Sequence, residues 1–311
     1  MTDGYEALRH GAAWLDLSAR GRIVARGRDR ARFLHNVTTN EVKKLAPGSG
    51  CYAFLLTPQG RIQADLTLFC FADHFLLDTE PDLREKVPQL ILRYKVADQV
   101  ELEDVTAATT AIGLEGPRAP AVLAAMGAPV PGGDFAHLEW RELTIAAERV
   151  TGQPGFRIYG DASRTAAIAG QLEAAGARPA TAEDARVVRI ENGKPRYGDD
   201  IRETSLPQET GQMHAVSYSK GCYLGQEIVE RIRAQGHVNK KLVRVEIDAT
   251  QPVAPGTKLL SEGTEAGEIT SAVYSPHFSK VIALACVRAA YAQGGAAFRA
   301  GEYTARIQGT E

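Results

Sequence analysis

Past Gly236 the chain changes its repeat, and that change limits the architecture more than any other feature. Val243, Val245 and Ile247 alternate, Pro252 to Gly256 forms a turn, and Gly263 and Gly267 bracket another. Val281 to Val287 reads as a buried strand and Tyr303 to Ile307 as a closing one. Short strands with regular turns predict a small antiparallel barrel over residues 241–311. Before Gly236, strands alternate with helices. With 311 residues the chain is long for a single core, so at least two domains are expected.

Within the first part, Asp29 to Val37 reads as a helix with Phe33, Leu34 and Val37 on its apolar face. Cys51 to Leu56 and Ile62 to Phe69 read as strands joined by the turn Thr57-Pro58-Gln59-Gly60. His74 to Thr79 continues the sheet, and Asp82 to Tyr94 follows as a helix in which Pro88 predicts a kink or a late start. A second alternating stretch runs from about Ala111 to Gly198. It holds a helix over Pro120 to Met126, a hairpin through Leu138 to Val150 and a strand at Phe156 to Tyr159. Helices over Ala162 to Ala175 and Thr181 to Asn192 close it, the second with Thr181 as N-cap and Gly193 beyond its end.

Net charge is -2, which gives no global attraction to nucleic acid or to an anionic membrane. No apolar run approaches the roughly 20 residues that cross a bilayer, and the first residues lack the pattern of a signal peptide. The four cysteines, Cys51, Cys70, Cys222 and Cys286, are scattered without a C-x-x-C pair. They suggest no disulfide framework and no zinc site, so a reducing cytoplasm is expected.

The run Lys220-Gly221-Cys222-Tyr223-Leu224-Gly225-Gln226-Glu227 carries the first candidate site. It sets one thiol between glycines, beside a lysine and ahead of a helical pattern; that helix and Lys220 would favour thiolate at Cys222. A small residue in a tight turn is the plain alternative. Glu191, in Arg189-Ile190-Glu191-Asn192-Gly193, opposes the dipole of the helix it ends, so either Arg189 or Arg196 neutralises it or a ligand's N–H groups do. Asp65 sits inside a strand, where Asp is disfavoured; it is solvated at an edge, or it lines a pocket as a candidate general base. The arginines at 22, 26, 28, 30 and 32 read as a solvated face, Trp14 and Trp140 as packing residues, and Cys51, Cys70 and Cys286 as buried and inert. His214 and His237 flank the Cys222 loop, each with a bland role as the commoner expectation.

Three landmarks fall in one order: Phe33 to Asn40 followed by Pro58-Gln59-Gly60-Arg61-Ile62, then Arg189 to Gly193 with Tyr197-Gly198, then Lys220 to Glu227. Together they resemble the glycine-cleavage T-protein (aminomethyltransferase, GcvT) superfamily, and within it the folate-binding YgfZ branch. The likeness implies an α+β, three-lobed fold around a central channel: two α/β lobes with antiparallel sheets, residues 1–110 and 111–240, not necessarily separate in sequence, and the barrel at 241–311. It implies a bound tetrahydrofolate, with Glu191 on the pterin ring, Asp65 near the reactive nitrogen, and Tyr197, Gln226 and Arg189 as further contacts. Lys220, Cys222 and Asp65 are the candidate catalytic residues. Two departures stand out. Gly225-Gln226 replaces the usual Gly-Arg, exchanging a cation for a neutral amide, and Cys222 replaces an Asp. The branch implies an accessory role in assembly or repair of iron–sulfur enzymes, reaching tRNA modification, with those enzymes or cluster-assembly proteins as partners. A folate-dependent aminomethyltransferase or demethylase acting on a small amine is the alternative, and whether the chain is an enzyme stays open here.

Overall fold

The computed structural model describes residues 2–236 and 238–308, so His237 lies outside the described residues. Three sheets organise them. The first is five-stranded, built from β2 (Gly21–Arg26), β3 (Ser49–Leu56), β4 (Ile62–Cys70), β5 (Phe75–Thr79) and β6 (Glu101–Asp104), in the order β3-β4-β5-β2-β6. The second joins β1 (Ala13–Asp16), β7 (Thr109–Glu115), β8 (His137–Trp140), β9 (Leu143–Ala146), β10 (Gly155–Asp161) and β11 (Arg178–Pro179), in the order β11-β1-β7-β10-β9-β8. All its pairs are antiparallel except the short β1–β11 contact. Strand β1 precedes the whole first sheet in sequence yet pairs with β7, so the two sheets interleave along the chain.

The third sheet is a closed barrel of β12 (Lys240–Ile247), β13 (Lys258–Ser261), β14 (Thr264–Ser275), β15 (Lys280–Arg288), β16 (Ala297–Ala300) and β17 (Tyr303–Ile307). Alternation carries it: Val245, Ile247, Ala283, Ala285 and Ile307 point inward and are buried, while Lys280 and Arg288 stay in water.

Among the described residues seven α-helices cover the sheets: α1 (Asp3–His10), α2 (Arg30–Val37), α3 (Lys86–Leu92), α4 (Ala119–Ala125), α5 (Thr165–Ala174), α6 (Ala182–Glu191) and α7 (Gln226–Gln235). Thr181 caps α6 with a reciprocal bond to Asp184, and Gly193 takes a φ of 68° just past its end. The helix expected from Asp82 divides. A 3-10 turn over Pro81–Leu83 precedes α3, whose third residue is Pro88; the missing N–H is harmless there because the first turn has no partner for it. Helix α6 is the central strut, with Ile190 packed on Val273, Ile282 and Leu284 of the barrel.

The arginines at 22 to 32 do not form one solvated face. Arg22 is buried and gives its guanidinium to the carbonyls of Ser18, Arg20, Thr106 and Thr109, whereas Arg26 and Arg32 pair at the surface with Asp73 and Asp98. Cys51 and Cys70 are buried, but Cys286 is only half-buried.

Candidate functional site

A cavity of about 1120 Å³ opens between the first two sheets, with α6 and the segment after it as its third side. Such a volume lies just above the usual span of ligand sites, roughly 300 to 1,000 Å³. Strand alternation delivers its floor. Asp65 and Thr67 face the cavity from β4 while Ala64, Leu66 and Leu68 enter the apolar core. Leu66 also touches the cavity rim.

Asp65 is buried, and its Oδ2 accepts the Tyr52 hydroxyl at 2.7 Å. Its Oδ1 is buried without a hydrogen-bond partner. Burial, reinforced by the nearby Glu80 charge, pushes this carboxyl up to about 6 despite the Tyr52 bond. A carboxyl raised towards neutrality, with an unpartnered oxygen beside a cavity, is of the kind that takes a ligand N–H or moves a proton.

Around it runs a ladder of alternating charges. Asp78 pairs with Arg20 Nε at 2.7 Å and with Arg157 at 2.7 Å, and accepts the Tyr159 hydroxyl at 3.0 Å. Arg157 also meets Glu148 at 2.9 Å, and Glu148 accepts from Thr67 at 2.6 Å. Glu80 joins Arg20 to Arg196. Burial raises the cost of each charge, but the arginines overcome it at Asp78 and Glu80 and hold both carboxyls below their usual range. The wall beside Asp65 is aromatic. His214 stacks on Tyr52 with ring centroids 5.5 Å apart and on Phe135 at 6.4 Å. Phe135 holds a φ of 62°, a left-handed conformation that is uncommon for an aromatic residue and aims it at this wall.

The segment from Glu148 to Gly152 is gripped from behind. Glu115, at the end of β7 and buried, accepts the N–H of Val150 at 2.6 Å and of Thr151 at 2.9 Å, and the Thr151 hydroxyl as well. Asn192 donates to the Thr151 carbonyl at 2.9 Å, and Lys194 to the Arg149 carbonyl. Gly152, with a φ of 85°, lets the two segments meet: a β-carbon there would lie 3.2 Å from that of Asn192.

Of the residues singled out in the sequence, Asp65, Arg189 and His214 line the cavity. Arg189 is already committed to Asp200 at 2.5 Å and to Asp199 at 3.2 Å. Glu191, expected on the pterin ring, is not among the residues that line the cavity. Its Oε1 accepts from Tyr5 at 2.7 Å and from Ser275 at 2.5 Å, and Arg9 rather than Arg189 or Arg196 supplies the countercharge at 3.6 Å. It ties α1 and α6 to the barrel. Tyr197 donates to the Gln63 carbonyl at 2.6 Å and is likewise absent from the cavity wall.

The Lys220–Glu227 run lies apart from the cavity. Lys220 is buried and donates to the carbonyls of His35, Thr38 at 2.6 Å and Asn40 at 2.9 Å, closing the C-terminal end of α2. With its three donors used, it is not the partner of the Cys222 thiol. Burial pushes its ammonium down to about 8. Cys222 is exposed and stands three residues before the Gly225 N-cap of α7, outside the turn where a helix dipole acts. Gln226 opens α7 and accepts the Tyr223 N–H at 3.3 Å. Gly225, at a φ of 81°, serves close packing: a β-carbon there would come within 2.6 Å of the Thr57 carbonyl oxygen. Two of the sequence landmarks therefore meet as a structural joint.

Sequence reasoning passed over Tyr52, Asp78, Glu115, Glu148 and Arg157, whereas the charged, turn-rich run from Lys194 to Ile201 reads from the sequence as a site-lining loop and supplies Lys194, Pro195, Arg196 and Asp199 to the cavity. The signal that picked out Asp65, a charge inside an apolar strand, was also present in Phe75-Leu76-Leu77-Asp78-Thr79 and Phe156-Arg157-Ile158-Tyr159. Among the described residues there is no group of acidic, histidine and cysteine side chains that could hold a metal ion, and no helix is long and apolar enough to cross a membrane.

Residues 1–220 match the family described as the GCVT N-terminal domain, and residues 240–310 match the glycine cleavage T-protein C-terminal barrel domain. An aminomethyltransferase of Geobacillus kaustophilus is 30% identical over 303 residues, 93% of this chain and 82% of that protein. One from Rubrobacter xylanophilus is 29% identical over 91% of this chain and 78% of its own length. A chloroplastic protein of Arabidopsis thaliana, named as a transferase, is 26% identical over 86% of this chain, which spans only 63% of it. The crystal structure of the glycine cleavage system aminomethyltransferase T from Bartonella henselae superposes with a TM-score of 0.88 at 23% identity, covering 98% of this chain and 87% of that one. The fold is thus T-protein-like, and the chain belongs to the glycine cleavage T-protein family.

Proposed function

We propose, from membership of the T-protein family and the geometry of the cavity, that this protein binds tetrahydrofolate there and transfers a one-carbon unit between it and a small amine. The observation that carries this reading is Asp65, buried at the cavity floor with Oδ1 unpartnered. The residues fit the group: an open acceptor for a ring N–H, an aromatic wall of Tyr52, His214 and Phe135 for a flat face, and sufficient volume. Tetrahydrofolate would supply the nitrogen that carries the one-carbon unit. Asp65 Oδ1 would accept and relay the proton of the reacting amine, with its acidity set near neutrality by burial. Tyr52 orients that carboxylate, and the Arg20–Asp78–Arg157–Glu148 ladder holds the two sheets in register around it. Calorimetric titration with tetrahydrofolate, followed by turnover of an aminomethyl or N-methyl donor, tests this. Asp65→Asn should lose at least about 100-fold in turnover, the scale of general acid–base catalysis. Undiminished turnover in that variant would overturn the assignment.

A second reading is favoured by the exposed, unpaired Cys222 and by Gln226 standing where T-proteins carry arginine. Here the protein is a folate-binding accessory of the YgfZ type that supports iron–sulfur enzymes through Cys222, and tRNA modification through them. Activity of cluster-dependent enzymes in a deletion strain, complemented with wild type or Cys222→Ala, decides it. Full rescue by the variant would remove the thiol from the account.

A further inference from the structure

The cavity contains two buried or half-buried charges whose ion-pair partners are missing, and they are of opposite sign. Each of the six arginines lining it has a carboxylate partner, at distances between 2.5 and 3.1 Å: Arg20 and Arg157 on Asp78, Arg149 on Asp134, Arg186 on Glu183, Arg189 on Asp200 and Arg196 on Glu80. Lys194 has no carboxylate within 4 Å among the described residues, although Glu115 and Glu148 lie near enough to favour its charge. Its ammonium donates only to the Arg149 carbonyl, which leaves two of its three donors without a protein acceptor. On the other side, Asp65 has no cation partner among the described residues and an unfilled Oδ1. The two sites are linked across the aromatic wall: Asp65 holds the Tyr52 hydroxyl, Tyr52 stacks on His214, and His214 lies within the field of Lys194.

A protein that pairs every other buried or half-buried charge in a cavity, leaving only the exposed Asp16 besides, keeps such a pair for a ligand that brings the complements. We propose that Lys194 is the anion-recognition residue of this cavity and that the ligand is dipolar, with an amine or ring N–H at Asp65 and a carboxylate at Lys194. This rests on the reading of the cavity as the ligand site given above, and narrows its substrate class to carboxylate-bearing amines. Position 194 suits the task. It follows Gly193, whose left-handed turn reverses the chain at the end of α6, and precedes Pro195, so the backbone that presents the ammonium is stiff. Burial lowers the proton affinity of Lys194, and a bound carboxylate would restore it.

The carboxylate could belong to the glutamyl tail of a folate or to a separate small amino acid, and paired probes tell these apart. Wild type, Lys194→Gln and Lys194→Arg are titrated with tetrahydrofolate against a tetrahydropterin lacking the aminobenzoyl-glutamate tail, and with N-methylglycine against methylamine. Matched circular dichroism and melting show that the variants fold. The expected result is a preference of about ten-fold or more for the carboxylate-bearing member of one pair in wild type, abolished by Lys194→Gln and largely kept by Lys194→Arg. The pair that shows the gap names the source. A gap that persists in Lys194→Gln, or wild-type binding with no gap in either pair, overturns the inference while leaving the cavity reading intact. Failure of wild type to bind any of the four overturns the cavity reading itself, and this inference with it.

Discussion

Tyr52 gives its hydroxyl to Asp65 Oδ2 at 2.7 Å and leaves Oδ1 with no partner, although Oδ1 is out of water. A stability-driven fold would fill that second acceptor, because a buried unsatisfied polar atom costs on the order of 1–3 kcal/mol. Here the cost sits at the floor of the cavity between the first two sheets, where unsatisfied groups commonly mark binding and chemistry.

One consequence is a pH signature. The Asp65 carboxyl is raised from 3.8 to about 6, so the folded state holds its proton more tightly than the unfolded chain does. Stability should therefore fall as pH rises from about 4 to about 6 and level off above, by up to about 3 kcal/mol for a two-unit shift. Asp78 and Glu80, held low by arginines, act in the opposite sense and only at more acid pH, since their stabilisation is lost as pH falls through their depressed values. Urea midpoints of wild type minus those of Asp65→Asn across pH 4–7 isolate the Asp65 part. The variant should be the more stable of the two at neutral pH and the less active. A flat difference would show that Asp65 titrates as an ordinary carboxylate.

Glu191→Gln should cost stability and spare the ligand. The carboxylate accepts from Tyr5 and Ser275 and faces Arg9, joining α1, α6 and β14, so the neutral amide should destabilise by about 1–3 kcal/mol. Tetrahydrofolate affinity, measured by calorimetry on both proteins, should be unchanged. A tenfold loss of affinity at unchanged stability would return Glu191 to the ligand site.

The barrel was legible in the sequence because alternation at Val243, Val245 and Ile247 and the turn glycines are local signals. The α6 cap at Thr181 was legible for the same reason. Asp65 could be picked out because a charge in an apolar strand contradicts propensity. What stayed hidden depends on contacts distant in sequence. Arg9 reaches Glu191 from the far end of the chain, Lys220 turns to the end of α2 rather than to its neighbour Cys222, and β1 leaves the first sheet for the second. Glycines of the Lys220–Glu227 run were legible as close-approach residues, but Gly225 approaches the Thr57 backbone rather than a ligand.

Glu115 should act on ligand affinity without touching ligand. Its two oxygens fix the Val150 and Thr151 amides, and this grip positions Glu148, Arg149 and Gly152 on the cavity wall. Glu115→Ala leaves those buried donors unsatisfied, for a loss of about 2–4 kcal/mol in stability summed over the bonds. Glu115→Gln keeps one acceptor and should retain most of the stability, while weakening tetrahydrofolate binding through a looser segment. Amide hydrogen exchange at Val150 and Thr151 reads the grip directly. Unchanged protection in Glu115→Gln, together with reduced affinity, would mean that the residue acts by another route.

Cys222 separates the two functional readings by its location. It is exposed and not among the cavity residues, whereas Cys51 is buried with its thiol pushed up to about 12. Brief alkylation of the native protein, read by mass spectrometry, should label Cys222 first, half-buried Cys286 more slowly, and Cys51 and Cys70 only after unfolding. Cys222→Ala, at an exposed site, should shift stability by no more than about 0.5 kcal/mol and leave tetrahydrofolate affinity intact. If the protein is a one-carbon transferase run by Asp65, the variant also keeps full turnover. If it is an iron–sulfur accessory, the variant binds folate normally yet fails to restore cluster-dependent enzymes in a deletion strain. A Cys222→Ala protein that loses folate binding would contradict both, because Cys222 is not among the residues that line the cavity.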